Sequence, residues 1–471
     1  MSKTGSAQRG KFWRTDWFVG VLVVLGVIIL HQTTNFFAGL EQRYYDYGST
    51  SSGRQPTDRV AIIAIDDQSI ANIGRWPWSR DVHAKMLEKL TEAKAKVVAH
   101  TVFFSEPQID PGLAYINKLI EAYQVIPDTT REQLLPIETL LAEAEGALNT
   151  DRKLANAVAG AGNVVLPLVF ELGEPRGNPD AALPEFVQKN NLPAIEDNVG
   201  AAANSLYPLP ATHVLVPLEP LGAGAAGVGH LNVAPDVDGS IRQEPLVIRY
   251  YDSFFPSLSL AVAARSLNLS PKDIKVQLGE GVKVGNLQIR TDPQLQMYTY
   301  FYKDREGRSA FQVDSFYDVM SGKIPADKYR DKIVLIGATA AGVGSTQVTP
   351  ISPAMPPVLT LAHSVSSILQ EDFFVAPSWG QWVEIAAFLL VVAYLALALP
   401  RLKAGAAAGL TVALVVALIG AHFVLMTSQL VWIPLMAPVV LLIVGHLALT
   451  TKRFLATERG KIKSDVESAE S

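Results

Sequence analysis

The sequence of 471 residues contains no cysteine, few charged side chains (18%) and only eight histidines. Without cysteine the chain forms no disulfide bond and offers no thiolate to a metal ion. His83 and His363 fall on predicted helices without a second histidine four residues away, so we expect no metal site and no cofactor. A protein-kinase catalytic loop, a phosphate-binding loop and a G-x-S-x-G nucleophile elbow are also missing, and we predict no catalytic residue in this chain.

Hydrophobic residues, in contrast, make up 49% of the chain, and the mean hydropathy is +0.21. Four mostly apolar segments of about twenty residues are long enough to cross a bilayer. They are predicted at 17–37, 382–399, 404–425 and 431–450. A cleaved signal peptide is the alternative for the first segment, but no small-x-small cleavage site follows its apolar run.

Basic residues are concentrated in some of the short segments that flank these spans. They occur in 1–16 (Lys3, Arg9, Lys11, Arg14), between the second and third spans (Arg401, Lys403), and in 451–471. Because Lys and Arg are retained on the cytoplasmic side, we expect both termini in the cytoplasm and residues 38–378 outside it. In 451–471, Leu455 and Ile462 are seven residues apart, which is typical of a signalling helix but also of a frayed helix end.

The outer segment is acidic and has the pattern of an α/β domain. Residues 37–378 carry 29 basic and 39 acidic side chains, so we expect no nucleic-acid partner. Continuous apolar runs predict strands buried on both faces of a sheet. These runs are VAIIAI (60–65), VVAHTVFF (97–104), NVVLPLVF (163–170) and DKIVLIGAT (331–339).

The remaining patterns fill in the predicted fold. Helical spacing between the first two runs, from Val82 to Ala93, predicts a βαβ unit and hence a mostly parallel core sheet. Short alternating segments between 229 and 302 predict an antiparallel extension that includes one helix. Residues 111–145 predict a helical insertion, and 174–210 a long surface excursion. We therefore expect an α/β extracytoplasmic domain with one N-terminal and three C-terminal transmembrane helices.

Five blocks of the sequence resemble, in order, the second class of CHASE extracellular sensor domains. They are VAIIAIDDQSIANIGRWPWSRDVHAKMLEKL, VVAHTVFFSEP, GHLNVAPDVDGSIRQEPL, PSLSLAVAA and KIVLIGATAAGVGSTQVTP, and the resemblance covers about residues 40–450. It implies a periplasmic or extracellular input module of a receptor in the bacterial inner membrane. It also implies an output domain, namely a serine/threonine kinase, a nucleotide cyclase or a histidine kinase, and we expect a kinase beyond the C-terminus.

Two positions depart from the family pattern. The family usually has an aspartate where Thr101 stands, and often one where Ser345 stands. The resemblance therefore implies an altered site in this chain wherever those carboxylates contribute to ligand or ion binding.

The first strand ends in two aspartates, Asp66 and Asp67. Open parallel sheets bind ligands at the carboxyl ends of their strands, so both are predicted ligand-binding residues. The alternative is structural: one aspartate caps the next turn and the other pairs with Arg75 or Arg80.

Trp76, Trp78, Arg80 and Thr339 complete the predicted ligand site. The two tryptophans either stack on a ligand or pack their loop against the core. Thr339 lies either in a ligand-contacting turn or in a plain transition from strand to loop. DVDGSIR (236–242) predicts a hairpin turn rather than a calcium loop, because the closing glutamate of an EF-hand is absent.

These observations favour a sensory module that couples a small-molecule or envelope-derived ligand to a cytoplasmic output. A membrane-anchored hydrolase that uses Asp66 and Asp67 is one alternative, and a transporter or channel is another. The transporter needs polar groups within the spans, where Glu384, His422 and His446 are the strong candidates. Besides membrane lipid, we expect a second copy of the chain as partner, with Gly405 and Gly409 of the run AGAAAGL at or near a helix contact of this homodimer.

Overall fold

The structure is a computed structural model that describes residues 15–469. Lys3, Arg9, Lys11 and Arg14, which contribute to the predicted orientation, lie outside the described residues. The chain divides into two compact units. We call Gly53–Phe373 the sensor unit, and the residues up to Ser52 and from Phe374 onward the membrane unit.

The helices of the sensor unit lie in the chain between two groups of membrane-unit helices. The described residues form sixteen α-helices: α1 Asp16–Thr33, α2 Phe36–Thr50, α3 Asp67–Ile73, α4 Arg80–Glu92, α5 Pro111–Gln124, α6 Asp128–Arg131, α7 Leu135–Leu148, α8 Thr150–Ala161, α9 Glu185–Gln188, α10 Glu219–Gly224, α11 Leu258–Ser266, α12 Phe316–Met320, α13 Pro357–Gln370, α14 Gly380–Ala393, α15 Ala404–Val424 and α16 Met436–Ala469. The sensor unit contains α3 to α13, and the two membrane-unit groups are α1–α2 and α14–α16.

Strands fall almost entirely within the sensor unit. The described residues form eighteen of them: β1 Val60–Ile65, β2 Val97–His100, β3 Val164–Leu172, β4 Ala194–Glu196, β5 Leu209–Leu215, β6 Gly227–His230, β7 Gln243–Pro245, β8 Val247–Tyr250, β9 Ser253–Pro256, β10 Ile274–Gln277, β11 Gly281–Val284, β12 Leu287–Arg290, β13 Gln296–Thr299, β14 Gln312–Ser315, β15 Ile333–Ala338, β16 Gln347–Thr349, β17 Ser352–Met355 and β18 Phe373–Phe374.

A nine-stranded sheet forms the centre of the sensor unit. Strands β14, β1, β15, β2 and β3 are parallel neighbours in that order, and β6 pairs in parallel with β3. Antiparallel pairing of β5 with β3 and of β9 with β8 extends the sheet on one side. A separate sheet contains the antiparallel strands β10, β11 and β12. The predicted fold class, a mostly parallel core with an antiparallel extension, is confirmed.

Helices cover both faces of the parallel strands, which explains the continuous apolar runs. Ile63 and Ile65 of β1 share one core with Met86 and Leu90 of α4. Because alternate residues of a strand point to opposite faces, Val60, Ile62 and Ala64 face the side on which α13 packs. All six residues of β1 are buried. The predicted helical insertion contains α5 to α7, and the predicted surface excursion contains α9 and β4.

The membrane unit contains four helices that are long and apolar enough to cross a bilayer, one near the N-terminus and three near the C-terminus, as predicted. They are α1, α14 with its extension to Arg401, α15 with its extension to Gln429, and α16. The first ends at Thr33, earlier than the predicted residue 37, and α2 follows it. The Thr33 and Thr34 hydroxyls donate to the carbonyls of Ile29 and Leu30 at this end.

Polar contacts connect helices of the membrane unit. Tyr394 and Thr411 lie 2.7 Å apart between their hydroxyl oxygens, and the Thr411 hydroxyl lies 2.9 Å from His446 Nδ1. Such hydrogen bonds between spans contribute on the order of 1 kcal/mol each. His446, one of the polar groups that a transporter would require, therefore has a structural role in joining α15 to α16. An added Cβ at Gly405 or Gly409 would meet nothing within 4 Å, so the predicted dimer contact stays a prediction.

Candidate functional site

The loop between α3 and α4 places two tryptophans at the carboxyl edge of the sheet. Trp78 Nε1 donates to the carbonyl of Gly74 over 2.9 Å. Its ring is 3% exposed and packs against Phe316, with 4.9 Å between ring centroids. Trp76 meets Trp78 edge to face at 5.2 Å and is only half-buried. Trp78 thus has the packing role that the sequence left open, while Trp76 keeps part of its ring accessible.

A cavity of about 270 Å³ opens beside these tryptophans. Its walls come from the Trp76–Trp78 loop, from the first turn of α4, and from the segment that follows β2. The lining residues are Trp76, Pro77, Trp78, Arg80, His83, Val102, Phe103, Ser105 and Glu106. The cavity therefore combines aromatic walls with a guanidinium and an imidazole, and we call it the Arg80 cavity.

Arg80 is held in place on several sides. Its Nε donates to Asp151 Oδ1 over 3.3 Å, and one terminal nitrogen donates to the Glu106 carbonyl over 3.1 Å. The guanidinium lies 4.7 Å from the centroid of the Phe104 ring, a cation–π contact. Its partner is Asp151, not the Asp66 or Asp67 that the structural alternative proposed. Because the guanidinium is already fixed, its remaining N–H groups can donate to a ligand without a further loss of side-chain entropy on binding.

Two buried histidines lie behind Arg80. His83 Nδ1 is 3.2 Å from His100 Nε2, and the Val102 N–H donates to His100 Nδ1 over 3.3 Å. Burial, reinforced by the Arg80 charge, lowers the pKa of His83 to about 3. Burial likewise holds the pKa of His100 well below its usual range. Both rings are therefore neutral at physiological pH.

The hydrogen bonds fix the tautomers of this pair. Because His100 Nδ1 accepts from Val102, its proton is on Nε2, and it donates to His83 Nδ1. The proton of His83 must then be on Nε2, which has no hydrogen-bond partner among residues 15–469. His83 is among the lining residues of the cavity, so this N–H is the candidate donor of the imidazole toward a bound molecule.

The other predicted site residues lie at the ends of β1 and β15. Asp66 Oδ1 accepts from the Ser69 N–H over 2.8 Å and from the Ser315 hydroxyl over 2.9 Å, which makes it the N-cap of α3. Asp67 is exposed and accepts from the Ala341 N–H over 3.3 Å. The Thr339 N–H donates to the Ile65 carbonyl over 3.0 Å. None of the three lines the Arg80 cavity, and their role toward a ligand stays a prediction.

Thr101 and Ser345, the two departures from the family pattern, have different surroundings. The Thr101 hydroxyl donates to the Ile336 carbonyl over 3.2 Å and lies directly over Gly337. Ser345 is exposed in the loop that follows β15. At position 101, this chain therefore has a hydroxyl bonded to the neighbouring strand where the family usually has a carboxylate.

The segment DVDGSIR is a tight turn clamped by its own arginine. Arg242 donates to Asp236 Oδ2 over 3.2 Å and to Asp238 Oδ2 over 2.7 Å, and is itself 4% exposed. The hydrogen bond from Arg242 lowers the pKa of Asp238. Gly239 adopts φ +80°, a conformation that favours glycine at this turn. The segment is a turn as predicted, but it does not join a hairpin, because β6 before it pairs with β3 and β7 after it pairs with β13. Within residues 15–469, no three His, Asp or Glu side chains are grouped to hold a metal ion.

Sequence reasoning did not find His100, Phe104 and Asp151 as parts of the site. The run VVAHTVFF was predicted to be strand throughout, whereas β2 ends at His100. The Val102 N–H turns to the His100 ring rather than to a neighbouring strand. A histidine within an otherwise apolar run was the one available signal.

An α/β domain with a cavity at the carboxyl edge of its sheet, flanked in sequence by one and then three membrane-type helices, is the architecture of a membrane protein with a ligand-binding type of domain. The family model described as the CHASE2 domain matches residues 20–397. The chain therefore belongs to the CHASE2 family, whose members are extracellular sensor domains. No curated protein and no solved structure matches the chain.

Proposed function

We propose that the chain is the sensory input module of a bacterial inner-membrane receptor, and that its ligand binds in the Arg80 cavity. The observation that supports this most directly is the pairing of two fixed donors, the Arg80 guanidinium and the His83 Nε2–H, with a half-exposed Trp76 ring. Polar groups that are already positioned bind a ligand at a lower entropic cost than mobile ones.

The chemistry of the cavity defines a class of ligand. Donors on one wall favour a group that accepts hydrogen bonds, such as a carboxylate or a carboxamide. The accessible face of Trp76 favours a flat, apolar body on the same molecule. We propose that Asp67 and Thr339, which lie on neighbouring strand ends, respond to the ligand through the loop after β15. Asp66 caps a helix and accepts three hydrogen bonds, so it is poorly suited to act as the acid or base of a hydrolase.

Benzoate, benzamide and benzylammonium share one ring and test this ligand class. In the full chain labelled with 5-fluorotryptophan in lipid nanodiscs, benzoate and benzamide are expected to shift the ¹⁹F resonance of Trp76. Benzylammonium has no acceptor for Arg80 or His83 and is expected to shift it less, since Glu106 is the one lining side chain with a negative charge to pair with it. Arg80→Gln is expected to weaken benzoate binding roughly 10- to 100-fold, the worth of a charge-assisted hydrogen bond.

Arg75 provides the matched control for this variant. It lies in the same loop and is exposed, so Arg75→Gln is expected to keep the wild-type affinity within about twofold. Equal losses in the two variants, or equal binding of benzylammonium, would contradict the proposal.

The proposed topology has both termini in the cytoplasm and the sensor unit outside. An enzyme reporter that is active only outside the membrane is expected to be active when fused at position 200 and inactive at 402 and 460. The reason is the retention of Arg401, Lys403 and the basic residues of α16 on the cytoplasmic side. Activity of the fusion at 402 would overturn the four-span orientation.

We further propose that the output is a serine/threonine kinase that follows α16, and that the receptor is a homodimer. The helix α16 continues without a break through 451–469, with Leu455 and Ile462 exposed, which suits a rigid connection from membrane to output. To transmit a signal, the ligand must bind one arrangement of the membrane spans more tightly than another. Binding then increases the population of the arrangement with the higher affinity. The coding sequence beyond residue 471 tests the kinase assignment.

A further inference from the structure

A second cavity of the sensor unit is lined by polar side chains and shares no residue with the Arg80 cavity. It has a volume of about 50 Å³ and lies between β7, β13, β16, the residues after β6 and the first turns of α13. Its polar lining comprises Asn232, Gln243, Glu244, Thr299, Gln347, Thr360 and Ser364. The volume suits the head group of a small molecule rather than a whole drug-sized ligand.

Three oxygen atoms around this cavity are enclosed and have no hydrogen-bond partner among the described residues. They are Glu244 Oε2, Gln347 Oε1 and Thr360 Oγ1. More than nine in ten buried polar groups in proteins have a partner. All three atoms belong to residues that line one cavity, so this cavity is the place where a hydrogen-bond donor is missing.

Glu244 is the only acidic or basic side chain among the lining residues. Its Oε1 accepts from the Ser259 hydroxyl over 2.6 Å, and this serine lies 2.9 Å from Ser257. Burial raises the pKa of Glu244, and the neighbouring hydroxyls only partly offset that effect. No lysine or arginine of residues 15–469 forms an ion pair with it. A buried carboxylate without a cation is costly, and a cationic ligand would remove that cost.

We propose that this cavity binds the primary ammonium group of a small amine. The site offers three oxygen acceptors and one negative charge, and an ammonium group offers three N–H donors and one positive charge. A water molecule has only two hydrogens and no charge. Calcium prefers a cage of several carboxylates, whereas one carboxylate and neutral oxygens are available here. This inference does not depend on the ligand of the Arg80 cavity.

Methylammonium is the probe, and tetramethylammonium is its control, because it has the same charge and no N–H donor. The thermal unfolding midpoint of the full chain in nanodiscs is expected to be higher in methylammonium chloride than in equimolar tetramethylammonium chloride. A ligand that binds only the folded state stabilises it in proportion to the logarithm of its concentration over Kd. Equilibrium dialysis of ¹⁴C-methylammonium is expected to show affinity at least tenfold weaker in Glu244→Gln.

Glu219→Gln is the matched variant, since Glu219 is an exposed carboxylate outside the cavity, and it is expected to bind methylammonium like the wild type. If Glu244→Gln fails to fold, Thr360→Val removes one acceptor and is expected to weaken binding severalfold. Equal midpoints in the two salts, or unchanged binding in a folded Glu244→Gln or Thr360→Val protein, would overturn the proposal. A Glu244-dependent shift with sodium, potassium or calcium chloride but not with methylammonium would also overturn it, in favour of a metal ion.

Discussion

Gly337→Ala is expected to destabilise the sensor unit by about 3 kcal/mol, the upper part of the usual range for overpacking a core. Gly337 lies in β15, the strand between β1 and β2, and is buried. A Cβ added there would overlap the Thr101 hydroxyl and approach Val358 Cβ to 2.6 Å. Neither neighbour moves easily, because Thr101 is tied to the Ile336 carbonyl and Val358 is in the first turn of α13. A loss of this size is a large share of the total stability of a domain.

The control is a glycine where an added methyl group has room. Gly160 is exposed in α8 and has nothing within 4 Å of an added Cβ. Gly160→Ala is expected to stabilise the unit by up to about 1 kcal/mol, the difference in helix propensity. Urea midpoints of the full chain in nanodiscs, followed by tryptophan fluorescence, measure both. Similar midpoints for the two variants would show that β15 adjusts to the methyl group. Thr101→Ala in the Gly337→Ala background is expected to recover part of the loss.

The same contact explains one departure from the family pattern. A hydroxyl at position 101 occupies the space above Gly337 and bonds to the backbone of β15. The contact between the ends of β2 and β15 is therefore made by an uncharged hydroxyl group. The neighbouring Arg80 cavity has the Arg80 guanidinium and the His83 imidazole among its lining groups, which is why we propose an acceptor ligand for this member of the family.

The strands that the sequence predicted best are those buried on both faces. An uninterrupted apolar run has one physical explanation in a covered parallel sheet, so β1 and β15 were located to within about two residues. Their order was not predictable. Strand β15 is inserted between β1 and β2, although more than 200 residues separate it from either. Pairing between strands so far apart in sequence depends on tertiary packing, which a local sequence pattern does not predict.

In the candidate site, too, residues close in sequence were predictable and distant partners were not. Trp76, Trp78 and Arg80 were predictable because they are close in sequence and lie between a strand and a helix. Asp151, the ion-pair partner of Arg80, comes from α8 and is 71 positions away. The two predicted aspartates lie at the carboxyl end of β1, and one of them, Asp66, is the N-cap of α3. The local sequence predicts that a helix is capped near this position. It does not predict which of the two neighbouring carboxylates accepts the capping hydrogen bond.

The sensor unit is expected to lose stability steeply as the pH falls from about 6.5 towards 3. Four of its histidines are buried, namely His83, His100, His230 and His363. Burial lowers the pKa of His83, His230 and His363 to about 3 and holds that of His100 well below its usual range. In this pH window the unfolded chain binds protons that the native state does not, so unfolding is favoured by acid. Each histidine contributes at most about 1.4 kcal/mol per pH unit.

Two half-buried carboxyl groups act in the opposite direction. Burial raises the pKa of Glu244 and of Asp292, so these groups take up protons in the native state at higher pH than in the unfolded chain. The native state therefore gains stability from them as the pH falls. Four histidines oppose these two groups, and the lowered pKa of Asp238 adds to the loss at lower pH, so the net stability of the sensor unit is expected to fall as the pH is lowered.

His230→Leu separates the contribution of one histidine from the rest. Neither ring nitrogen of His230 has a hydrogen-bond partner among residues 15–469, so an apolar side chain of similar volume leaves no partner unsatisfied. The variant is expected to match or exceed wild-type stability at pH 7 and to lose about one proton from the slope of unfolding free energy against pH. His213, whose side chain is 63% exposed, is the control, and His213→Leu is expected to keep the wild-type slope. A wild-type slope in His230→Leu would mean that His230 is protonated equally in the folded and unfolded states, and that its burial does not contribute to acid unfolding.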